Sequence, residues 1–247
     1  MALIEEMESS GAWLFRWRSY LPLFALIVMI VLMKDFHYPY NDHHFDLIWE
    51  LFCLSISFIG LGIRAVTIGQ TPRRTSGRNT KRQVAESLNT TGIYSLVRHP
   101  LYLGNFLIWF GVSMFVRLWW FNIIIALAFW IYYERIMIAE EKFLRDKFRD
   151  EYTEWSKKIP AFIPNFRRWK PSSTRFSFKR VLKMEYSSFF ATITSFFFLE
   201  VLGDYFTSNT IEIDRYWLII FVFNLFIYIT LRTLKKMKLL RSSANPS

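Results

Sequence analysis

The stretch PLYLGNFLIWFGVSMFVRLWWFNIIIALAFWIYYERIMIAEE, residues 100–141, sets the fold of this chain. It holds two apolar runs that are separated by little more than Arg117, at about 100 to 116 and 118 to 139. Trp119 and Trp120 follow the arginine, where an aromatic belt at a membrane surface would lie. The pattern predicts a tight helical hairpin that crosses a bilayer and returns, so that both of its ends emerge on one side.

Further apolar runs lie outside this hairpin, at about 19 to 33, 47 to 69, 186 to 202 and 216 to 234. The 247 residues include 26 Phe, 12 Tyr and 10 Trp, more than the core of one water-soluble domain of this size needs. We therefore predict an all-α polytopic membrane protein of about six transmembrane helices. We expect a single integral membrane domain over residues 1–247, in which residues 186–234 supply two C-terminal membrane helices.

The basic residues are distributed unevenly between the predicted loops. Of 31 Lys and Arg, one set of alternating loops collects 26, and the opposite loops hold three, which are Lys34, Arg117 and Arg215. The remaining two, Arg64 and Arg135, lie inside apolar runs. Such a bias identifies the rich side as cytoplasmic, so both termini are predicted to be cytoplasmic. It also accounts for the net charge of +11 without nucleic acid, which we do not expect as a partner. The expected partners are the bilayer and a membrane lipid substrate, with no obligate protein partner evident.

The sequence gives little support to a metal site or a dinucleotide fold. Cys53 is the only cysteine, which excludes an internal disulfide and a cysteine metal cluster. The adjacent pair His43 and His44 could bind a metal but is also common in polar loops, and we expect no metal. No glycine-rich phosphate loop is present, so any nucleotide-like cofactor needs a site built from helix ends and loops.

The hairpin brings two charged segments together although about forty residues separate them in sequence. Arg98 and His99 precede its first helix, whereas Glu140 and Glu141 end its second. Pro100 suits the first turn of a helix, and a helix N-terminus beside Arg98 favours an anion such as a carboxylate or phosphate. The alternative is that Arg98 and His99 simply anchor a helix at the headgroups.

Charged residues also lie within the second helix of the hairpin. Glu134 and Arg135 are costly in hydrocarbon unless they are paired or hydrated, which makes a functional role the first hypothesis. The alternative is a structural ion pair between Glu134 and Arg98. From 140 to 155, large apolar residues recur at helical spacing, which predicts a cytoplasmic helix at the membrane surface.

These residues together resemble a known superfamily. The ordered features are Arg98 to Gly104, the hairpin, Glu140 to Leu144, Tyr152, and the segment from Ile159 to Pro164. They resemble the isoprenylcysteine carboxyl methyltransferase and phospholipid methyltransferase superfamily over about residues 77–166, the expected methyltransferase core. The resemblance implies that the chain binds S-adenosyl-L-methionine on the cytoplasmic side, in a pocket lined by Tyr94, His99, Pro100, Leu101, Tyr102 and Glu140. It also implies that the turn from Glu86 to Asn89 forms another wall of this pocket.

The resemblance also implies methyl transfer to an anionic lipid headgroup. We expect Arg98 and Arg135 to orient that headgroup, and Glu134 and Lys158 to contact the acceptor. If the acceptor is an amine, His99 or Glu141 is the expected base. Lys158 stands where an arginine is common in the family, and lysine lacks the bidentate fork of arginine. Headgroup recognition is therefore expected to differ from that of isoprenylcysteine enzymes.

The first choice of acceptor is lipid A 1-phosphate in a bacterial inner membrane. Residues Glu8 to Pro22 and Thr75 to Thr80 resemble bacterial lipid A 1-phosphate methyltransferases. Isoprenylcysteine and phosphatidylethanolamine are the alternative acceptors. An NADPH-dependent membrane sterol or enone reductase and a non-catalytic membrane scaffold are the alternatives from other classes.

Overall fold

The structure is a computed structural model that describes residues 3–18, 20–36, 43–72, 75, 85–211 and 213–240. This part of the chain forms seven α-helices in the order α1 (Leu3–Trp17), α2 (Leu21–Leu32), α3 (His43–Gln70), α4 (Pro100–Met114), α5 (Trp119–Ser156), α6 (Phe178–Ser208) and α7 (Arg215–Lys236). Three short 3-10 helices accompany them. Among the described residues there is no β-strand, only an isolated bridge between Gly92 and Lys170, which confirms the all-α prediction.

Four helices are long and apolar enough to cross a bilayer, namely α3, α5, α6 and α7. The other two predicted spans correspond to α2 and α4, whose 12 and 15 residues are shorter than the roughly 20 that a full crossing requires. The count of six therefore stays a prediction. Large apolar side chains cover the outside of these helices, as on α7, where Phe223 and Phe226 are more than 60% exposed. Lipid is the environment that covers such a surface, and the chain is an integral membrane protein.

Local sequence sets several helix ends. Pro100 occupies the first turn of α4, where a missing N–H costs no hydrogen bond. Asp214 caps α7 by accepting hydrogen bonds from the backbone N–H groups of Tyr216 and Trp217. Asn209 ends α6 in the left-handed conformation, which asparagine tolerates better than most residues. These ends fix where the polar connections begin.

The hydrophobic core divides into two clusters. The larger one joins α2 to α7 around fully buried side chains such as Met29, Phe115 and Phe196. The smaller one lies between α1, α4 and α5 and contains Phe15, Tyr102, Tyr132, Tyr133, Ile136 and Met137. Because Tyr102 belongs to the smaller cluster, that cluster positions one of the predicted site residues.

Helix α1 packs closely against α5 through Gly11. A Cβ atom at this position would overlap the backbone carbonyl oxygen of Arg135, so only glycine allows the two helices to approach this far. The Tyr132 hydroxyl donates a hydrogen bond of 3.1 Å to the carbonyl of Leu14, and Arg135 donates one of 3.1 Å to the Ser10 hydroxyl. Helix α1 is therefore a docked element of the fold.

The predicted surface helix over residues 140–155 is the continuation of α5. The 30 residues of α5 before Arg149 extend about 45 Å at 1.5 Å per residue, beyond a hydrocarbon core of about 30 Å. Arg149 has a positive φ of 45° and marks a local break near the end. The helix predicted over residues 140–155 is present and is continuous with the transmembrane part of α5 through Glu140 and Glu141, and its position at the membrane surface stays a prediction.

Candidate functional site

The start of α4 and the outer half of α5 meet in a charged cluster. The Arg98 guanidinium donates to Glu141, with Nη1 and Oε2 2.8 Å apart. His99 Nε2 lies 3.0 Å from the other oxygen of Glu141, and His99 Nδ1 lies 3.7 Å from Glu140. These distances confirm the predicted proximity. Arg98 pairs with Glu141 and not with Glu134, so the alternative of a structural Glu134–Arg98 pair is wrong.

Tyr102 connects the first turn of α4 to Glu140. Its hydroxyl donates a hydrogen bond of 2.8 Å to Glu140 Oε2. Its ring stacks on the His99 imidazole at 5.6 Å between centroids and contacts the Tyr133 ring at 4.9 Å. The Glu140 carboxylate is therefore held on one side and remains 28% exposed on the other, where it can accept further hydrogen bonds.

The segment after α5 holds the Arg98–His99 loop through its backbone. The N–H of Arg98 donates to the carbonyl of Pro160 at 2.9 Å, and the N–H of His99 donates to Ala161 at 3.2 Å. The N–H of Asn165 in turn donates to Leu96 at 2.9 Å. The backbone N–H groups of Arg98 and His99 are therefore already hydrogen-bonded and are not free to bind an anion.

A buried polar network supports the site from behind. Arg64 of α3 forms a bidentate ion pair with Glu185 of α6, with both distances at 2.7 Å. Arg64 also donates to Asn105, whose amide donates to the Tyr133 hydroxyl at 3.1 Å. Tyr133 contacts Tyr102, so α3 and α6 help to fix the wall that carries Glu140. Sequence reasoning missed this network because residues far apart in the chain form it.

A cavity opens beside the charged cluster. Six predicted cofactor-binding residues and Arg98 lie in its wall, namely Tyr94, Arg98, His99, Pro100, Leu101, Tyr102 and Glu140. Ser87, Leu88 and Asn89 also line it, which confirms the wall predicted at the turn from Glu86 to Asn89. The remaining lining residues are Phe15, Thr75, Ala85, Phe143, Leu144 and Trp155. The resemblance pointed to Phe143 and Leu144, and helical spacing pointed to Trp155, whereas no local signal indicated Phe15.

The other predicted site residues lie outside this wall. Glu141 stands behind it as the partner of Arg98 and His99. Glu134 is half-buried on α5, and Arg135 faces α1, where it contacts Ser10. Lys158 is exposed beyond the end of α5. Of the expected catalytic and acceptor residues, only Arg98 therefore lines the cavity.

The wall holds buried donors that have no protein partner among the described residues. Arg98 Nε and the Trp155 indole N–H are both buried without a hydrogen bond. Burial, followed by the charge of Glu140, raises the pKa of the Tyr94 hydroxyl above its ordinary value, which keeps it neutral and able to donate. Because unsatisfied buried donors are unfavourable, this set fits a polar ligand with acceptor atoms.

A second group of charged residues lies at the other end of α4. The carboxylates of Asp46, Glu50 and Glu200 lie within 4.8 Å of one another and are buried. Arg117 pairs with Asp46. This group has the composition of a metal site, which the sequence did not predict, although none of its members lines the cavity beside Arg98.

Two stretches that the sequence singled out lie wholly or partly outside the described residues. Residues 76 to 84 include most of the Thr75 to Thr80 stretch and the start of the expected core at 77. The side chains of His43 and His44, the histidine pair considered for a metal, are also outside the description.

The fold and the cavity define a helical integral membrane protein with a charged pocket where two helices meet. The family described as "Phospholipid methyltransferase" matches residues 49–151. Among relatives, protein-S-isoprenylcysteine O-methyltransferase of Schizosaccharomyces pombe is 34% identical over 85 residues, 34% of this chain and 36% of that protein. Its counterpart B from Arabidopsis thaliana is 30% identical over 117 residues, 42% of this chain and 57% of that protein. The chain is thus similar to the phospholipid methyltransferase family over residues 49–151, and over shorter stretches to the protein-S-isoprenylcysteine O-methyltransferases.

A relative with a different name is also similar. The cobalt-zinc-cadmium resistance protein CzcN of Cupriavidus metallidurans is 29% identical over 126 residues, 51% of this chain and 58% of that protein. The chain thus spans less than two thirds of the length of these relatives. No solved structure matches the chain with significance.

Proposed function

We propose that this chain is an S-adenosylmethionine-dependent methyltransferase that modifies an amphiphile at the cytoplasmic face of a bacterial inner membrane. The observation that carries the proposal is the cavity where α4 and α5 meet, because it gathers Arg98, Tyr102 and Glu140 within the family-matched region. The names of the isoprenylcysteine relatives support methyl transfer. The excess of Lys and Arg on one side supports the cytoplasmic assignment.

The residues of the cavity fit the chemistry of S-adenosylmethionine. When bound, this cofactor supplies a methyl group on a positively charged sulfur, already activated for transfer. Glu140 has an exposed oxygen that can accept ribose hydroxyls, and the unpartnered Nε of Arg98 can donate to a carboxylate. Trp155 offers a free indole N–H and an aromatic face. The chain's contribution is to hold the cofactor and the acceptor in alignment and to exclude water.

The acceptor atom that suits this site is an anionic oxygen. A carboxylate or phosphate arrives ionised and requires no general base, whereas an amine has to lose a proton. The two groups best placed to take such a proton are already committed, since His99 and Glu141 bond to each other and Glu141 also binds Arg98. Oxygen methylation is therefore the proposed reaction.

Two acceptors carry such an oxygen. The relatives named protein-S-isoprenylcysteine O-methyltransferase favour a prenylated cysteine carboxylate. The resemblance of Glu8 to Pro22 to lipid A 1-phosphate methyltransferases favours a lipid phosphate. We take the anionic oxygen of an amphiphile as the common chemistry and let experiment separate the two sources.

The test uses the purified full-length chain in lipid nanodiscs with methyl-labelled S-adenosylmethionine. Three acceptors are offered separately: N-acetyl-S-farnesylcysteine, lipid A with a 1-phosphate, and phosphatidylethanolamine. The expected result is label on farnesylcysteine or lipid A, identified by mass spectrometry, and none on the amine lipid. Label on phosphatidylethanolamine alone would overturn the oxygen assignment.

Cofactor binding is measured separately by calorimetry with S-adenosylmethionine and with NADPH. Binding of S-adenosylmethionine alone is expected. Binding of NADPH in its place would favour a reductase, and binding of neither would favour the non-catalytic scaffold.

A further inference from the structure

A second cavity adjoins the first and is built largely by α1. Its volume is about 650 Å³, within the range of about 300–1,000 Å³ that is usual for small-molecule sites. Its walls come from α1 and α5 and comprise Glu5, Glu8, Ser9, Ala12, Phe15, Arg16, Ala139, Lys142, Phe143 and Asp146. We call this cavity the α1 groove. It lies outside the cofactor wall except for two residues, Phe15 and Phe143, which line both cavities.

The α1 groove follows from the helical spacing of α1. Glu5, Glu8, Ala12 and Arg16 recur at intervals of three or four residues and therefore share one face. The neighbouring face carries Gly11 and Phe15, which are buried against α5. Because the face with Gly11 packs against α5, the face with Glu5, Glu8, Ala12 and Arg16 lies beside α5 and lines the groove.

Charge is ordered along the groove because α1 and α5 run in opposite directions. At one end Lys142 forms an ion pair of 2.5 Å with Glu8, next to Glu5 and Asp146. At the other end lies Arg16, which forms no ion pair with any residue in the described part of the chain. That end is the one nearer the apolar half of α5, where Leu14 contacts Tyr132. An amphiphile with its tail in the bilayer would meet Arg16 first.

We infer that the α1 groove is the acceptor subsite and that it binds the headgroup of an amphiphile whose carboxylate or phosphate contacts Arg16. The inference rests on the proposed function. The shared rings of Phe15 and Phe143 place the groove next to the cofactor cavity, so a headgroup in it is adjacent to the methyl donor site. Residues 3–17 precede the family-matched range of 49–151, so α1 adds acceptor specificity to a shared core.

The test fills the groove without touching the cofactor cavity. Ala12 lines only the groove, and Ala12→Trp places an indole in it. Glu6→Trp is the matched control, because Glu6 is exposed on α1 and lines neither cavity. With farnesylcysteine and with lipid A as separate acceptors, we expect Ala12→Trp to raise the acceptor KM at least about tenfold, while the Kd for S-adenosylmethionine changes less than about twofold. Glu6→Trp is expected to leave both unchanged.

Two further variants keep the test decisive. Should Ala12→Trp not fold, Ser9→Trp fills the same groove one turn earlier. Arg16→Gln is expected to raise the acceptor KM about tenfold. Arg16→Lys is expected to keep the acceptor KM near the wild-type value, because it retains the positive charge that pairs with the anion. The acceptor that shows the larger change with Arg16→Gln identifies the source of the anion.

The possible failures are distinguishable. If the wild-type chain does not bind S-adenosylmethionine, the proposed function fails. If it methylates an acceptor and Ala12→Trp leaves the acceptor KM unchanged, or weakens acceptor and cofactor equally, the groove inference fails while the function stands. Transfer to neither anionic acceptor would overturn the inference, because both carry the group assigned to Arg16.

Discussion

Two charged clusters lie at opposite ends of α4 and differ in how their carboxylates are satisfied. At the start of α4, cations and hydrogen-bond donors surround the acids. Glu141 binds Arg98 and His99, and Glu140 accepts a hydrogen bond from the Tyr102 hydroxyl. This cluster stands in or directly behind the wall of an open cavity. We call it the site cluster. Its mixed charge and its exposure are the properties expected of a ligand pocket.

The cluster beyond Met114 is acidic and buried. Asp46, Glu50 and Glu200 are 2%, 4% and 6% exposed, and one arginine, Arg117, pairs with Asp46. The Trp217 indole donates to Glu50 at 3.3 Å, whereas the other oxygen of Glu50 receives no hydrogen bond among the described residues. We call it the far cluster. Charged residues within membrane helices therefore do not by themselves identify a ligand pocket, and exposure to a cavity distinguishes the two clusters.

The largest effect is expected from breaking the ion pair of the far cluster. Asp46→Ala removes the buried carboxylate that pairs with Arg117, whose side chain is 13% exposed, and breaking such a largely buried pair costs up to about 3–5 kcal/mol. Thermal unfolding of the purified protein in detergent measures the loss. Methyl transfer per folded molecule, assayed well below the unfolding temperature, is expected to stay within about twofold. Unchanged thermal stability would contradict the buried-pair interpretation, and Glu151→Ala, an exposed acid on α5, is the control.

The next effect concerns the site cluster and its cofactor. Glu140→Ala removes the carboxylate that accepts the Tyr102 hydrogen bond and lines the cavity. The loss of a hydrogen bond to a charged group costs about 1.5–3 kcal/mol. Calorimetry should record affinity for S-adenosylmethionine that is about 10- to 100-fold weaker. Glu134→Ala changes the same residue type on the same helix outside the cavity and is expected to bind normally. Equal losses in the two variants would show that α5 acts only as a scaffold.

A matched pair of glutamine substitutions compares the clusters directly. Glu141→Gln weakens the hold on Arg98 and His99, so methyl transfer should fall about tenfold, or about 1.4 kcal/mol. Glu200→Gln relieves the crowding of three carboxylates and should leave transfer within about twofold. The labelled-methyl assay reads both variants. The opposite ranking, with Glu200→Gln more damaging, would mean that the far cluster takes part in function.

The helices and the main juxtaposition could be predicted because local physical patterns encode them. The apolar run on each side of Arg117 indicated a hairpin, and a hairpin requires Arg98 and Glu141 to meet. The helical pattern from 140 to 155 was also correct, but sequence periodicity could not tell whether that helix continues α5 or begins anew. Element existence was therefore easier to predict than the connection between elements.

The parts that sequence reasoning missed depend on tertiary contacts. Phe15 enters the cavity only because Gly11 allows α1 to approach α5, and a single glycine in a polar segment gives no such signal. The far cluster likewise joins the start of α3 to the end of α6, which are separated by about 150 residues in sequence, a separation comparable to the length of a typical domain. Arg135 was predicted to orient the acceptor headgroup because it lies within an apolar helix. Its side chain instead contacts Ser10, and this contact depends on where α1 packs.

The smallest effect is expected at Lys158, which the sequence assigned to acceptor recognition. The side chain is exposed beyond the end of α5 and lines neither the cofactor cavity nor the α1 groove. Lys158→Ala should therefore change the acceptor KM less than about twofold, as is usual for an exposed charge, and Lys158→Arg should match it. A tenfold rise in the acceptor KM for Lys158→Ala, with normal Kd for S-adenosylmethionine, would move the acceptor from the groove beside α1 to the segment after α5. Because Arg16 lies on α1 and Lys158 lies beyond the end of α5, the ratio of their two effects decides which element contacts the headgroup.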